Sequence, residues 1–193
     1  MVSLNWQKGA ESFIDAVSSG NATPGGGAVG AFAAANGCGL VMMAMSITMK
    51  MKSTPAEVYK ELNEALDEFI VLRDELKQCY LDDAKAYEDY LSAKKLPSAS
   101  KERAEYLKTA LAACVNVPLQ TGLKAVKTLH MAETVESKIS PVIISDIICA
   151  KIMLKASIQC CIENIKANLA YIKEEEFCLK LKNDIKLLEG YCR

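Results

Sequence analysis

Two aspartates are candidates for acid–base chemistry because each stands among small or apolar residues. Asp146 is the one charged residue in the apolar segment 142–148, and Asp83 opens the segment 83–87, whose small and aromatic residues are expected to face inward. A carboxylate is costly to bury unless it is paired or hydrogen-bonded. Asp146, with Ser145 beside it, therefore either caps a helix or takes part in chemistry, and Asp83 is a second candidate for that chemistry.

A run of three glycines, Gly25, Gly26 and Gly27, follows Pro24 and precedes an uncharged stretch rich in Ala and Gly. Together with Gly30 the run matches the letters of the dinucleotide-binding fingerprint, but that fingerprint needs a preceding strand, and a polar loop stands there instead. The match is therefore interpreted as accidental. Two interpretations remain: the free backbone amides of the turn receive an anionic or carbonyl group, or the glycines only permit a tight turn with close helix packing.

Other polar residues have spacings that suit a binding site. Asn164 and Asn168 are four residues apart and project from one helical face, where they either tie neighbouring helices together or bind the edge of a heteroaromatic ring. Lys94 and Lys95 are either solvated charges or a contact for a polyanionic ligand tail. His130 is the only histidine, which excludes a multi-histidine metal site.

The elements that position these residues are predicted to be helices. The chain has 193 residues, 51% of them hydrophobic and only 6% aromatic, and helix-forming residues dominate. The patterning predicts one all-α domain over residues 1–193, an orthogonal or up-down bundle of roughly five to eight helices without a linker. It places a first helix in residues 4–18, a capping box at Thr54 that starts another, and a kink or break at Pro118.

Residues 16–49 carry no charge, and the part from 28 to 49 is long enough to cross a bilayer. This part is rich in Ala and Gly rather than Leu and Ile, so we interpret it as a central helix packed closely on every side rather than a membrane span. A net charge of −1 argues against nucleic-acid binding. The eight cysteines include no C-x-x-C pair and the N-terminus has no signal-peptide core, which predicts a cytoplasmic protein with reduced thiols.

Taken together and in chain order, these features resemble the cyclodeaminase domain of formiminotransferase-cyclodeaminase and its small stand-alone bacterial relatives, including methenyltetrahydrofolate cyclohydrolases. The resemblance spans nearly the whole chain and is carried by residues 23–29, 83–87, 93–97, 110–119, 145–146, 164–165 and 168–169. Two positions depart from the family pattern. Ala28 stands where members usually carry Ser, and Ile139 with Ser140 stands where many carry Gly-Asn, which puts substrate preference and the level of activity in question.

The resemblance implies a dimerising helical bundle that acts on a reduced folate without metal or other cofactor. The implied reaction closes 5-formiminotetrahydrofolate to 5,10-methenyltetrahydrofolate with release of ammonia. The alternative is cyclohydrolase activity, which interconverts the methenyl and 10-formyl forms. A formiminotransferase on a separate chain is a possible partner. An alternative of another class is a non-catalytic folate-binding or interaction protein, which the two departures keep open.

The resemblance also implies roles for the candidate residues. Asp146 and Asp83 are the expected acid–base and counter-charge groups. The expected substrate contacts are Pro24, Gly25, Gly26, Gly27, Ser145, Asn164 and Asn168, with Lys94 or Lys95 meeting the glutamate tail.

Overall fold

The computed structural model describes residues 5–192, and this part of the chain folds into six helices with no strand. The helices are α1 (Trp6–Ser18), α2 (Gly26–Lys50), α3 (Ala56–Lys95), α4 (Lys101–Glu136), α5 (Ile144–Leu169) and α6 (Glu175–Glu189). The all-α prediction and the expected number of helices are confirmed. Leu4, where the first helix was expected to start, lies outside the described residues.

Helices α2, α3, α4 and α5 form an up-down four-helix bundle because short loops join each one to the next. Each of the four packs against its two neighbours around the ring, α2 and α4 also meet across the middle, and α6 covers α4 and α5. The interior holds one continuous apolar core that includes Met45, Leu62, Phe69, Leu154 and Leu188. The assignment of all 193 residues to one domain stays a prediction.

Helix α2 is the small-residue helix that the sequence predicts, but it is not packed on every side: Phe32 and Met43 are exposed, and its one charge is Lys50 in the last turn. It is also the one helix in residues 5–192 that is long and apolar enough to cross a membrane, and 56% of its most apolar stretch is buried within the protein. Its small residues allow close approach: a methyl group at Gly37 would lie 3.1 Å from the backbone oxygen of Ala150 on α5. Packing against α3, α4 and α5 therefore explains the lack of charge on the buried side of the helix.

The predicted capping box at the start of α3 is wrong in its detail. The helix begins at Ala56 with Pro55 as its N-cap residue, and no side chain caps it. The hydroxyl of Thr54 instead donates a hydrogen bond to the backbone oxygen of Thr48 at the end of α2. The threonine therefore closes the loop between the two helices rather than the first turn of α3.

Pro118 lies inside α4 without ending it, so a break is not found there. A proline in a helix lacks the N–H that would donate to the carbonyl four residues earlier, which here is that of Cys114. Helix α4 continues because tertiary packing outweighs this loss: Pro118, Val115 and Leu119 are all buried. The free carbonyl of Cys114 becomes important at the candidate site.

The two middle helices are longer than the outer two. Helices α3 and α4 have 40 and 36 residues, whereas α2 and α5 have 25 and 26. The C-terminal part of α3 and the N-terminal part of α4 therefore project beyond the bundle as a helical hairpin, since each residue adds about 1.5 Å. The end of the bundle that carries this hairpin is the end where the glycine turn lies.

Candidate functional site

A polar cavity of about 410 Å³ lies at the end of the bundle where α2 begins and α5 ends. All four bundle helices and the glycine loop contribute to its wall. The lining residues are Ala22, Thr23, Gly25, Gly26, Asp83, Tyr87, Cys114, Asn164, Ala167 and Asn168. The structure thus brings the predicted glycine turn, Asp83 and both asparagines into one place.

The carboxylate of Asp83 contacts the N-terminus of α2. It accepts a hydrogen bond from the backbone N–H of Ala28, and it lies so close to Gly27 that a methyl group at that position would overlap Oδ1. The partial positive charge at a helix N-terminus favours an anion there. The contact uses the backbone of residue 28, so the presence of Ala rather than Ser does not remove it.

Burial raises the pKa of Asp83 above its ordinary value of 3.8, and the hydrogen bond from Ala28 opposes this shift only in part. Desolvation disfavours the charged form of a carboxyl group, which explains the direction. Asp83 is the one carboxylate among the described residues that line the cavity. A carboxyl group with a raised pKa inside a polar cavity is suited to both accept and return a proton.

Asn164 and Asn168 present their amide oxygens to the cavity because their amide nitrogens are used elsewhere. The Nδ2 atom of Asn164 donates to the backbone oxygen of Cys160 at 3.0 Å, and that of Asn168 donates to the backbone oxygen of Asn164 at 3.0 Å. Neither Oδ1 atom accepts a hydrogen bond from another residue in the described chain. The two side chains therefore offer acceptors to a ligand that carries N–H groups.

The Nδ2 atom of Asn168 also donates, at 3.3 Å, to the backbone oxygen of Cys114 on α4. This is the carbonyl that Pro118 leaves without its helical partner. The proline and the asparagine thus act together: one frees an acceptor and the other uses it to fix a side chain in the cavity wall. Sequence reasoning missed this arrangement, although a proline in the middle of a helical pattern was the signal for it.

Cys114 places a thiol as well as a carbonyl in the cavity wall. Its Sγ donates to the backbone oxygen of Ala86 at 3.5 Å. Burial, with smaller contributions from the charges of Asp83 and Asp89, raises the pKa of Cys114 to about 11. The thiol therefore stays protonated near neutral pH and is not a nucleophile.

Asp146 and Ser145 do not reach this cavity within one chain. They lie in the first turn of α5, whereas Asn164 lies near its end, and 18 residues of helix separate Asp146 from Asn164 by about 27 Å. The capping interpretation is wrong, because the N-cap residue of α5 is Ile143 and no side chain caps the helix. A catalytic role of Asp146 stays a prediction, and it requires a contact beyond the single chain.

The remaining predicted contacts lie around the cavity rather than in its wall. Pro24 is half-buried between the lining residues Thr23 and Gly25 without lining the cavity itself. Lys94 and Lys95 are exposed in the last turn of α3, and Nζ of Lys94 lies 5.4 Å from the centre of the Tyr90 ring. This position favours a cation–π contact and does not bring either lysine to the cavity.

Within residues 5–192, no group of three or more His, Cys, Asp and Glu side chains is placed to hold a metal ion. The cavity itself offers one carboxylate and two amides, all of which suit an organic ligand with polar edges. That the protein works without metal or other cofactor stays a prediction.

The sequence model of the family described as formiminotransferase-cyclodeaminase matches residues 9–187. The chain belongs to this family. The match covers most of α1, all of α2 to α5 and most of α6, so the family's sequence pattern and the helical bundle coincide along nearly the whole chain. The resemblance stated from the sequence is therefore confirmed.

Two curated proteins of this family are similar along most of the chain. Methenyltetrahydrofolate cyclohydrolase of Methylorubrum extorquens is 29% identical over 184 residues, which are 93% of this chain and 86% of that protein. Formimidoyltransferase-cyclodeaminase of Gallus gallus is 27% identical over 176 residues, which are 86% of this chain but 31% of the longer protein. This chain thus spans less than a third of the bifunctional relative.

The fold is also that of a solved member of the family. The crystal structure of formiminotetrahydrofolate cyclodeaminase from Thermotoga maritima superposes with a TM-score of 0.83 at 26% sequence identity. The alignment covers 94% of this chain and 88% of that one. The all-α bundle is therefore shared by this chain and that cyclodeaminase.

Proposed function

We propose that this protein is an enzyme of folate one-carbon metabolism that closes 5-formiminotetrahydrofolate to 5,10-methenyltetrahydrofolate and releases ammonia. The observation that carries the proposal is the position of Asp83: a half-buried carboxylate of raised pKa lies on the N-terminus of α2 and faces a polar cavity. The names of the family relatives supply the class of substrate. No metal or other cofactor takes part in this proposal.

In the proposed reaction N10 of the folate attacks the formimino carbon, which forms a tetrahedral carbon bonded to both N5 and N10. The carboxylate of Asp83 takes the proton that N10 loses and returns it to the amino group, which leaves as ammonia. The formimino nitrogen takes its other proton from solvent, and the product carries a positive charge shared between N5 and N10, so one proton is consumed for each ammonia released. Once it has returned its proton, the same carboxylate lies beside this developing cation and stabilises it.

The geometry of the cavity supports recognition of a pterin ring. The Oδ1 atoms of Asn164 and Asn168 are free to accept hydrogen bonds from ring N–H groups, and backbone amides of the glycine turn are free to donate to a ring carbonyl. Tyr87 adds an aromatic surface to the wall. The cavity is of the size of a small-molecule site, so the rest of a folate would extend outside it.

A second candidate function is cyclohydrolase activity, and the relative from Methylorubrum extorquens favours it because the alignment covers most of that protein. In this reaction water attacks the methenyl carbon, Asp83 takes a proton from the water, and N5 receives a proton as its bond to the carbon breaks. The product is 10-formyltetrahydrofolate and one proton is released. Both reactions pass through the same kind of tetrahedral carbon, so one carboxylate serves either.

The ultraviolet absorbance of 5,10-methenyltetrahydrofolate separates these functions. The purified protein is mixed with 5-formiminotetrahydrofolate and, separately, with the methenyl compound. Fast appearance of the absorbance is expected for the cyclodeaminase, and fast loss identifies the cyclohydrolase. A protein that changes neither rate relative to buffer contradicts both enzyme functions and leaves the non-catalytic folate-binding alternative.

We propose further that two copies of the chain associate through the exposed apolar face of α2 and α5. Phe32 and Met43 on α2 and Ile148 and Ile152 on α5 are exposed in the single chain. Asp146 and Asn164 lie on the same side of α5, because 18 residues make five full turns. An antiparallel pairing about a twofold axis would bring Asp146 of the partner subunit towards the cavity, which restores its predicted role.

Mixing two inactive variants tests this arrangement. Asp83→Asn and Asp146→Asn are each expected to be inactive alone. Equal mixing with subunit exchange is expected to restore about a quarter of the wild-type activity, because half of the dimers then contain one intact site out of two. A monomer in sedimentation, or a mixed dimer without activity, would rule out a site shared between subunits.

A partner chain and a cellular location follow from the same proposal. The transferase activity named in the Gallus gallus relative would lie outside these 193 residues, on a separate chain that supplies the formimino substrate. All eight cysteines are free thiols, and Cys38, Cys79, Cys114 and Cys161 are buried. Free thiols suit a reducing compartment, so we propose a cytoplasmic location.

A further inference from the structure

A second cavity of about 390 Å³ lies next to the first, between the projecting part of α4 and the loop that joins α5 to α6. Its lining residues are Ser98, Arg103, Ala104, Leu107, Lys108, Leu111, Tyr171, Ile172, Lys173 and Glu174. Leu111 is one helical turn from Cys114 on α4, and Tyr171, in the loop after α5, follows Asn168 by three residues, so the two cavities adjoin. A ligand that leaves the first cavity along α4 therefore enters the second.

The charges around the second cavity are mostly positive. Arg103, Lys108 and Lys173 line it, and its one carboxylate, Glu174, is already paired with Nζ of Lys108 at 3.1 Å. The Nε atom of Arg103 is buried and has no hydrogen-bond partner within the described chain. A buried donor without a partner is costly, which indicates that a bound group completes the site.

We propose that this cavity binds the glutamyl tail of the folate substrate, with Arg103 and Lys173 receiving its carboxylates; this rests on the proposed function. The planar guanidinium of Arg103 matches a carboxylate in a way that a lysine does not. Arg103 lies 11 residues from Cys114 along α4, or about 16 Å, which suits the extended arm between a pterin and its glutamate. Leu107, Leu111 and Ile172 supply an apolar wall for the aromatic ring of that arm.

This assignment replaces the sequence-based expectation for the tail. Lys94 and Lys95 lie on α3 and line neither cavity, and Lys94 is positioned over Tyr90. Lys173 is exposed as they are, but Lys173 lines the second cavity. Arg103 differs because part of its guanidinium is already desolvated.

The test compares two ligands that differ only in the tail. Inhibition constants of tetrahydrofolate and of tetrahydropteroate, which lacks the glutamate, are measured against turnover for the wild type and for Arg103→Gln. The variant is expected to bind tetrahydrofolate about tenfold or more weakly, because a charged hydrogen bond is lost, and to bind tetrahydropteroate as the wild type does. Lys101→Gln, which removes an exposed charge from the same helix, is the matched control and is expected to change neither constant.

The same measurements can overturn the assignment of the glutamyl tail to this cavity. Equal weakening of both ligands by Arg103→Gln, or no weakening of either, overturns it, and so does a loss of tail preference in Lys94→Gln with none in Arg103→Gln. If Arg103→Gln does not fold, Lys173→Gln provides the same comparison with the same expected direction. A wild-type protein that neither converts the two substrates nor binds tetrahydrofolate contradicts the proposed function itself, whereas turnover without tail preference contradicts only the subsite.

Discussion

The two ends of α5 each carry a polar residue on the same side of the helix, but the surroundings of the two residues differ. Asn164 lies at the C-terminal end, where the glycine turn, α3 and α4 close a polar cavity around it. Asp146 lies on the same side of the helix at the N-terminal end, next to exposed apolar residues such as Ile148. The same helical face is therefore a binding site at one end and a candidate association surface at the other, and the neighbours of the helix decide which it is.

The largest expected effect follows from removing the charge at the cavity end. Asp83→Asn keeps the size of the side chain and loses the base, so we expect activity to fall by about 10²–10⁴-fold. Initial rates with the methenyl and formimino substrates measure it. Asp82→Asn is the matched control, because Asp82 is the neighbouring aspartate and its Oδ1 accepts only from Gln78 at 2.9 Å. Full activity of Asp83→Asn would show that the cavity at the C-terminal end of α5 is not the catalytic site.

The next effect concerns the contact between Asp83 and α2. Gly27→Ala places a methyl group against the carboxylate, so we expect at least about a tenfold loss of kcat/KM and a destabilisation of about 1–3 kcal/mol from overpacking. Gly9→Ala on α1 meets nothing within 4 Å and is expected to stabilise the protein by about 0.5–1 kcal/mol. Chemical denaturation measures both. Equal stability of the two variants would show that the carboxylate of Asp83 does not contact Gly27.

The smallest effect is a pH dependence of stability. The pKa of Asp83 is raised on folding, so its protonated form stabilises the native state, and that contribution is lost as pH rises through the raised pKa. Asp83→Asn cannot titrate. We therefore expect the free energy of unfolding of the variant, relative to that of the wild type, to increase from acidic to neutral pH and then to stay constant. A difference that is independent of pH would contradict the burial of this carboxylate.

The sequence predicted the cavity end of the bundle better than the opposite end. The glycine turn, Asp83 and the asparagine pair were predicted because a glycine run, a carboxylate on a stripe of small and aromatic residues and a four-residue spacing are local signals, and the structure brings them together. The opposite end depends on which surfaces meet. The 18 residues between Asp146 and Asn164 already imply five turns of helix, but pattern analysis reports the face of a residue and not its neighbours, so it does not show which surface Asp146 meets.

Local rules also misjudged two positions where tertiary contacts decide the outcome. Thr54 stands where a capping residue is expected, but its hydroxyl donates a hydrogen bond to the backbone oxygen of Thr48 at the end of α2. Pro118 has the sequence of a helix breaker, but burial on both sides keeps α4 continuous. The position of Arg103 could not be predicted either, because its unpartnered nitrogen becomes visible only when α4 and the loop after α5 are placed side by side.

Pro118 leaves the carbonyl of Cys114 without a helical hydrogen bond, and in this way it influences the cavity wall without lining the cavity itself. Any other residue at this position would supply an N–H to the carbonyl of Cys114, and that donor would compete with Asn168 for the same oxygen. The asparagine would then be freer to rotate, and its amide oxygen would lose its fixed direction. Ligand preference within this fold can therefore drift through a change in the main chain of a neighbouring helix, while every side chain in the pocket wall stays the same.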